Sequence, residues 1–155
     1  MEDSKIVEKV KEYFCIEELV DKATFDKYGD KCWQFMCPRL LETLVILREG
    51  LGKKMSINSW KYGGSQSQRG LRHNRSSMVA TNNNIYLSAH MLGKAVDITV
   101  DGMEAEEARM WIKENEDLFP YKIRLEHKKN GVPITWLHMD VYSYEKNPKI
   151  YFFDV

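Results

Sequence analysis

Residues 134–142, with the sequence ITWLHMDVY, alternate between apolar side chains and polar or aromatic ones. This period of two is typical of a β-strand, whose successive side chains point to opposite faces of a sheet. One face carries the apolar set Leu137, Met139 and Val141, which we expect to face a core. The other face carries Trp136, His138 and Asp140. The pattern therefore predicts a sheet with one packed face and one face that is free for chemistry.

A second predicted strand, residues 95–100, has the same parity. Its apolar residues alternate with Asp97, which points away from the core like His138. His90 precedes this strand and can fold back toward it through the turn that Gly93 permits. Two imidazoles and one carboxylate form a donor set that Zn²⁺ accepts, and three protein ligands leave a fourth position for water, as in catalytic sites. The alternative is that each residue is only a hydrogen-bonded group of the interior or the rim.

Helices precede strands along the chain. The apolar spacing of residues 6–51 is helical, with Pro38 at the start of one helix and Gly50 and Gly52 at its end. The predicted strands are 55–60, 95–100, 121–127, 132–142 and 150–153, with one helix at 104–116 between them. This order predicts an α+β fold with a mostly antiparallel sheet, helices packed on one face and a zinc cleft on the other. Residues 1–155 form a single domain, in which 1–52 are the helical part and 53–155 the sheet with the metal site.

The charge balance narrows the classes of partner. Lys and Arg together number 23, as do Asp and Glu, so the net charge is zero. Binding to nucleic acid would need a local basic patch, and RGLRHNR (residues 69–75) lacks interleaved aromatic residues that stack on bases. No apolar run approaches the roughly 20 residues of a membrane span. We therefore expect no nucleic-acid or membrane partner. The expected oligomeric state is a monomer.

The cysteines and the N-terminal sequence indicate a cellular compartment. Cys15, Cys32 and Cys37 form an odd set without a paired framework, which favours reduced, buried thiols. The start MEDSKIVEKVKEYF is charged and amphipathic, and it lacks a basic segment followed by an apolar one. Both observations predict a cytoplasmic protein.

Two motifs in this chain resemble those of one family of zinc peptidases. SAHMLGKAVD, residues 88–97, resembles the family motif S-x-H-x-x-G-x-A-x-D, and TWLHMD, residues 135–140, resembles the second motif, W-x-H-x-D. The family includes D-Ala-D-Ala carboxypeptidases, the vancomycin-resistance D-Ala-D-Ala dipeptidase and phage L-alanyl-D-glutamate endolysins, and the hedgehog signalling domain is related to it. The resemblance extends over residues 56–141, and the helical start is similar to phage-type members. It implies a hedgehog-like, DD-peptidase-like fold.

The resemblance also implies a ligand set. One Zn²⁺ per chain would be bound by His90, Asp97 and His138. Ser88 and Asp140 would support these ligands through hydrogen bonds. The alternative for these two is that they are ordinary polar groups of a turn and a strand.

The general base departs from the family pattern. Many members have an acidic residue three positions before the second zinc histidine, where this chain has Thr135. Glu126 is the candidate instead, because a hairpin around Asn130-Gly131 would bring its strand beside the segment TWLH. A two-residue turn would place Glu126 opposite Thr135, whereas a three-residue turn would place it on the face of His138.

Two other interpretations of this hairpin stay open. Glu126 is a solvated strand residue if it pairs with Arg124 or Lys128. His127 is a weaker acid-base candidate, and an exposed position in the hairpin suits it better.

Residues 61–84 form a long polar tract, and a loop of this length is usually functional or disordered. Members of the family place an arginine on the segment before the first motif, where it contacts the substrate and the developing oxyanion. The candidates here are Arg69, our first choice, and Arg72, although the usual S-G-Y-R form is absent. The alternative is a solvated basic loop. The residues expected to line the substrate cleft are Asn58, Trp60 and Trp136.

By resemblance, the expected function is zinc-dependent hydrolysis of a short peptide bond in peptidoglycan stem peptides. The enzyme would be a D-Ala-D-Ala carboxypeptidase or an L-Ala-D-Glu endopeptidase, with a zinc-activated water and Glu126 as general base. The expected setting is phage lysis or wall remodelling, with the protein cytoplasmic until it is released to the cell wall, or associated with the virion. The alternative is a non-catalytic zinc-containing module for cell-wall binding or phage assembly, which Thr135 makes credible.

Overall fold

The first part of the chain is helical because its apolar residues recur at helical spacing. In the computed structural model, which describes residues 2–80 and 83–155, the first helices are α1 (Asp3–Lys11), α2 (Lys22–Tyr28) and α3 (Pro38–Leu51). Helix α3 begins at Pro38 as predicted, and Gly52 is its C-cap. Gly50 lies inside this helix and does not end it. Glycine is needed there for packing, because a side chain would collide with the indole of Trp111.

Two further α-helices and five strands follow in the described part of the chain, besides four short 3-10 helices. They are β1 (Met55–Ser56), α4 (Ser77–Ala80), β2 (Ala95–Val100), α5 (Ala105–Glu114), β3 (Ile123–Lys129), β4 (Val132–Asp140) and β5 (Ile150–Phe153). The sheet order is β1-β2-β4-β3-β5, in which β3 and β5 are parallel and the other neighbours antiparallel. The prediction of an α+β class is therefore confirmed, with a mixed five-stranded sheet. Residues 81 and 82 of the predicted polar tract lie outside the described residues.

The first strand is shorter than the predicted segment 55–60, since β1 has only two residues. The next residues bind the helical part of the chain and not a neighbouring strand. The backbone amide of Asn58 donates to the carbonyl of Glu18 at 3.0 Å, and the indole N–H of Trp60 donates to the carbonyl of Val20 at 2.8 Å. These hydrogen bonds draw the backbone away from β2 and end the pairing.

One hydrophobic cluster joins the helices to the sheet. Apolar residues of α1, α3 and α5 pack in it together with the inward-facing strand residues Val96, Ile98, Leu125, Leu137 and Met139. Val141 packs against the cluster just after β4, as its parity predicts. The helices therefore cover one face of the sheet, and strand residues of the opposite parity project from the other face. None of the described helices has the length and apolar character needed to cross a membrane.

The three cysteines are free thiols, as predicted. Cys32 is fully buried in the hydrophobic cluster. Cys15 and Cys37 are partly exposed, so the prediction of burial holds only for Cys32.

A two-residue turn joins β3 and β4, as the sequence predicts. Lys129 pairs with Val132, and the intervening Asn130 and Gly131 have φ values of 51° and 77°. Two successive positive φ values are typical of a type I′ turn, whose twist matches that of the hairpin.

The pairing between β3 and β4 slips beyond this turn. Four residues of β4, 134–137, face the single β3 residue His127. The slip sets Glu126 opposite His138, whereas regular pairing from the turn would set it opposite Thr135. The expectation that a two-residue turn places Glu126 opposite Thr135 is therefore wrong, because a bulge in β4 changes the register.

Candidate metal centre

Neighbouring strands hold two of the predicted ligands side by side. Asp97 of β2 is paired with His138 of β4, so both side chains project from the sheet face opposite the core. The Nδ1 atom of His138 lies 2.9 Å from a carboxylate oxygen of Asp97. Both side chains are buried. The alternation and the strand register together account for this contact.

The turn before β2 carries the third predicted ligand, His90. Gly93 in this turn has a φ of 64°, and a side chain there would collide with the backbone carbonyl of Phe35. The turn can therefore approach the helical part closely only with glycine at this position. The Nδ1 atom of His90 lies 2.8 Å from the carbonyl oxygen of Gly70, and its Nε2 lies 3.4 Å from Asp97. The turn thus directs the imidazole at the carboxylate.

These three side chains could hold a metal ion. Their ligand atoms lie within 4.8 Å of one another, and all three residues are buried. Metal-binding histidines usually donate their second ring N–H to a carbonyl or a carboxylate. Here Nδ1 of His90 contacts the carbonyl of Gly70, and Nε2 of His138 contacts Asp140 at 2.8 Å. Each imidazole therefore has one nitrogen directed at Asp97 and the other held by an oxygen atom, which fits a metal centre.

The electrostatics of the cluster follow from its hydrogen bonds. Burial lowers the pKa of His138, but hydrogen bonds to Asp140 and Asp97 outweigh burial and raise that pKa to about 9. Burial raises the pKa of the Asp97 carboxyl, but hydrogen bonds from His138 and His90 outweigh it and hold the pKa well below its usual range. Without a metal, the cluster at neutral pH is an imidazolium between two carboxylates.

The two predicted supporting residues contact the ligands. The hydroxyl of Ser88 accepts a hydrogen bond from the backbone amide of His90 at 3.1 Å. Asp140 contacts His138 and also accepts two bonds from the guanidinium of Arg124, at 2.8 and 3.0 Å. Sequence reasoning considered Arg124 only as a partner of Glu126. Its position on the same strand face, two residues before Glu126, was the signal that could have placed it in the site.

Glu126 lies beside the cluster. Its carboxylate is 4.0 Å from Nδ1 of His138, and its side chain is 15% exposed. Arg124 binds Asp140 instead, and within residues 2–80 and 83–155 Glu126 has no ion pair with Arg124 or Lys128. The interpretation of Glu126 as a residue paired with Arg124 or Lys128 is therefore not supported, and its side chain is only partly exposed. A single water molecule would suffice to connect it to the cluster of His90, Asp97 and His138.

Arg72, and not Arg69, reaches the cluster. The guanidinium of Arg72 donates to Asp97 at 3.3 Å. Arg69 donates instead to the hydroxyl of Thr99 at 2.9 Å, while its backbone carbonyl accepts a hydrogen bond from the amide of Asp97. The geometry thus reverses our order of preference, because the side chain of Arg69 extends to the next outward-facing residue of β2.

The cluster lies in a cleft of about 390 Å³ that also contains Glu126 and Arg72. Of the three residues expected to line this cleft, Trp136 does so, and Asn58 and Trp60 do not. The side-chain amide of Asn58 donates to the carbonyl of Val20, which also accepts from the indole of Trp60. The expectation for these two residues is wrong because their polar atoms attach the segment before β2 to the helical part.

The remaining walls of the cleft are mostly apolar or aromatic. They include Met78, Tyr86, Leu87, Trp136, Tyr142 and Phe153. Lys129 also lines the cleft and has no acidic partner among the residues that the structure describes. His127 lies outside the cleft, and its Nε2 is 3.2 Å from Glu106, so its acid-base role has no support. Apolar walls around a few convergent polar groups are typical of a site for a small ligand.

No protein-family model, curated protein or solved structure matches this chain. The indications of its function are therefore the chemistry of the cluster and the two motifs that contain it. The first motif carries His90 and Asp97, and the second carries His138.

Proposed function

We propose that this protein is a zinc-dependent peptidase that hydrolyses a short peptide bond in peptidoglycan stem peptides. The observation that carries the proposal is the buried cluster of His90, Asp97 and His138 with the carboxylate of Glu126 4.0 Å from His138. Two imidazoles and a carboxylate suit Zn²⁺ and leave a position for water. The proposed family is that of the zinc D-Ala-D-Ala peptidases and phage endolysins, with a hedgehog-like fold.

Each residue of the site has a proposed role in hydrolysis. When bound, zinc would supply a Lewis acid that lowers the pKa of a water molecule and polarises the peptide carbonyl. Glu126 would accept a proton from the attacking water and return it to the leaving amine. Asp140, which Arg124 holds in place, would keep the ring of His138 in its orientation.

Arg72 is the candidate for stabilising negative charge on the substrate. Its Nε atom donates to the carbonyl of Gln68 at 2.8 Å, which restrains the guanidinium at the cleft. One terminal nitrogen contacts Asp97 at 3.3 Å, so further N–H groups stay available for a carbonyl oxygen. A preorganised donor of this kind stabilises the oxyanion that develops during peptide hydrolysis.

The substrate class rests on the motifs and on the cleft. Both motifs resemble those of enzymes that act on stem peptides with D-residues. A cleft of about 390 Å³ has room for a few residues of a peptide. Lys129 supplies a cation for a substrate carboxylate. The proposed setting is phage lysis or cell-wall remodelling, with the protein cytoplasmic until its release to the wall, or virion-associated.

A second candidate function is a non-catalytic zinc module that binds cell wall or takes part in phage assembly. The observation that favours it is Thr135, an exposed residue at the position where many members of the proposed family carry their acid. In this case the cluster would bind zinc and stem peptides, but Glu126 would have no role in turnover.

The deciding experiment is mass spectrometry of purified muropeptides after incubation with the zinc-loaded protein. We expect cleavage by the parent protein, and a loss of about 10²- to 10⁴-fold in turnover for Glu126→Gln with zinc content unchanged. Glu114→Gln is the matched control, because Glu114 is exposed at the end of α5 and does not line the cleft.

Three results are informative. Full activity of Glu126→Gln would assign the base to another residue. Stoichiometric zinc without any cleavage by the parent protein would support the non-catalytic module. Absence of zinc after loading would refute both functions.

A further inference from the structure

The bulge in β4 determines which residue stands beside His138. If regular pairing continued from the turn, Glu126 would lie opposite Thr135. His138 of β4 would then face a residue nearer the start of β3. The four residues 134–137, facing His127 alone, add three positions to β4. An odd shift also exchanges the two faces of a strand, so the bulge brings Glu126 to the face that carries the metal cluster.

Arg109 of α5 binds this bulge from the core side. Its side chain is 1% exposed. The guanidinium donates to the carbonyl of Ile134 at 3.2 Å and to the carbonyl of Trp136 at 3.3 Å. Both carbonyls belong to the segment that the slip removes from pairing with β3. Arg109 thus satisfies backbone acceptors that a regular ladder would have satisfied.

The same arginine is connected to the opposite strand. Its Nε donates to the carboxylate of Glu106 at 3.0 Å, and this carboxylate lies 3.2 Å from Nε2 of His127. His127 is the single β3 residue that faces the bulge. Glu106 and Arg109, one turn apart on α5, therefore contact both strands of the irregular pairing.

We infer that Arg109 is a positioning residue of the site, which sets Glu126 beside His138 by holding the bulge of residues 134–137. This inference rests on the proposed function in that it assigns the placement of the proposed base. A buried arginine is unfavourable unless its donors are used, and here they are used on two carbonyls and a carboxylate. The planar guanidinium can span two carbonyls, whereas the ammonium of a lysine is a single point of charge.

The test uses Arg109→Lys and Arg109→Met in the full chain, with Arg39→Met as the control at an exposed arginine of α3. The first readout is NMR of cross-strand proton contacts between Glu126 and His138. We expect these contacts in the parent and control proteins, and we expect them to be lost in Arg109→Met and weakened in Arg109→Lys. This readout needs neither zinc nor hydrolysis, so it stays decisive if the proposed function fails.

The second readout is kinetic. With muropeptides, both Arg109 variants should lose kcat by at least about tenfold while KM and zinc content stay within about twofold, because a displaced base slows the chemical step. Guanidinium ion at millimolar concentration should partly restore kcat in Arg109→Ala, whose short side chain leaves room for the ion, and should leave Glu126→Gln unchanged. A residue that only stabilises the fold would not give this split or this rescue.

The inference is overturned if folded Arg109→Met retains the contacts between Glu126 and His138. If neither Arg109 variant folds, Glu106→Lys decides, since the side chain of Glu106 is 51% exposed and an ammonium there would repel the guanidinium of Arg109 and draw it off the bulge. Weakened contacts and faster amide exchange over residues 132–138 in Glu106→Lys would support the inference. Parent-like contacts and exchange would overturn it.

Discussion

His138 has a hydrogen-bonded partner at each ring nitrogen. Nδ1 lies 2.9 Å from Asp97, and Nε2 lies 2.8 Å from Asp140. These contacts explain why the imidazole is charged at neutral pH although it is buried. A metal ion would take the place of the proton on Nδ1, while Asp140 would continue to bind the proton on Nε2. The same carboxylate therefore orients the ring in both states.

This arrangement predicts that zinc binding releases a proton. Because the pKa of His138 is raised to about 9, the ring is protonated at pH 7 and must lose a proton to bind a metal through Nδ1. We expect close to one proton released per zinc at pH 7, and an apparent affinity that rises with pH until about 9. Calorimetric titration in buffers of different ionisation enthalpy measures this number.

Asp140→Asn provides the matched comparison for proton release. Removal of one of the two carboxylates should lower the pKa of His138, so fewer protons should be released at pH 7. Equal heats in all buffers for the parent protein would contradict the charge state that we assign to His138.

The two arginines give a second prediction at the scale of single residues. Arg72→Gln should reduce kcat/KM for stem peptides by about 10²-fold, because it removes a donor aimed into the cleft. Arg69→Gln should stay within about threefold, because its guanidinium binds Thr99 outside the cleft lining. Steady-state kinetics of both variants measures the difference, and a larger loss for Arg69→Gln would restore the order that the sequence suggested.

Short elements with special backbone geometry position the site. The turn before β2 packs against the backbone of Phe35 and directs His90 at Asp97. The bulge in β4 directs Glu126 at His138. In both places the position of a polar side chain depends on irregular backbone. Asp97 and His138, in contrast, are positioned by the regular pairing between β2 and β4.

Gly93→Ala tests the role of this turn. Gly93 has a φ of 64° and no room for a side chain. The left-handed conformation alone costs alanine about 1–3 kcal/mol. Because the clash adds to this cost, Gly93→Ala should lower the free energy of unfolding by a larger amount. Zinc affinity should fall as well, because the turn carries His90. Urea denaturation and zinc titration measure the two effects.

Gly52→Ala is the control for this substitution. Gly52 also has a positive φ, of 62°, in the left-handed conformation, but nothing lies within contact distance of an added side chain. We expect a cost of about 1 kcal/mol and unchanged zinc affinity. Equal effects of the two substitutions would show that the contact with Phe35 is unimportant.

At the scale of the whole molecule, one sheet separates packing from chemistry. Its inner face joins α1, α3 and α5 in a single hydrophobic cluster. Its outer face carries the cluster of His90, Asp97 and His138, of which Asp97 and His138 lie on the paired strands β2 and β4. A ligand held by both strands and by the turn before β2 would connect distant parts of the chain.

Zinc should therefore stabilise the folded protein. At a free zinc concentration of about 100 times Kd, the expected gain is about 2.7 kcal/mol, or roughly 5–10 °C in Tm for a chain of this size. Thermal unfolding with and without a chelator measures the shift. His138→Ala should abolish it, whereas His73→Ala should not, since His73 contacts Asp21 and lies outside the cluster. An equal shift in both variants would refute the assignment of His138 as a ligand.

Local patterns were sufficient to predict the fold class and the cluster. The alternation in residues 134–142 and the matching parity of 95–100 placed Asp97 and His138 on one face. The turn at Asn130-Gly131 was also predictable, because its type depends on the conformational preferences of two residues. The end of β1 was not, since hydrogen bonds of Asn58 and Trp60 to a distant segment decide it.

The sequence by itself thus determined the periodicity of the strands and the two faces of the sheet, and its two motifs indicated the three clustered side chains. The periodicity depends on residues that are neighbours in the chain, and the motifs are short local segments. Only the tertiary structure decided that Arg72 reaches the cluster in place of Arg69, and that Glu126 stands beside His138. Both outcomes depend on hydrogen bonds between distant segments, such as those that the guanidinium of Arg109 donates to carbonyls in the bulge of β4, and no local pattern encodes them.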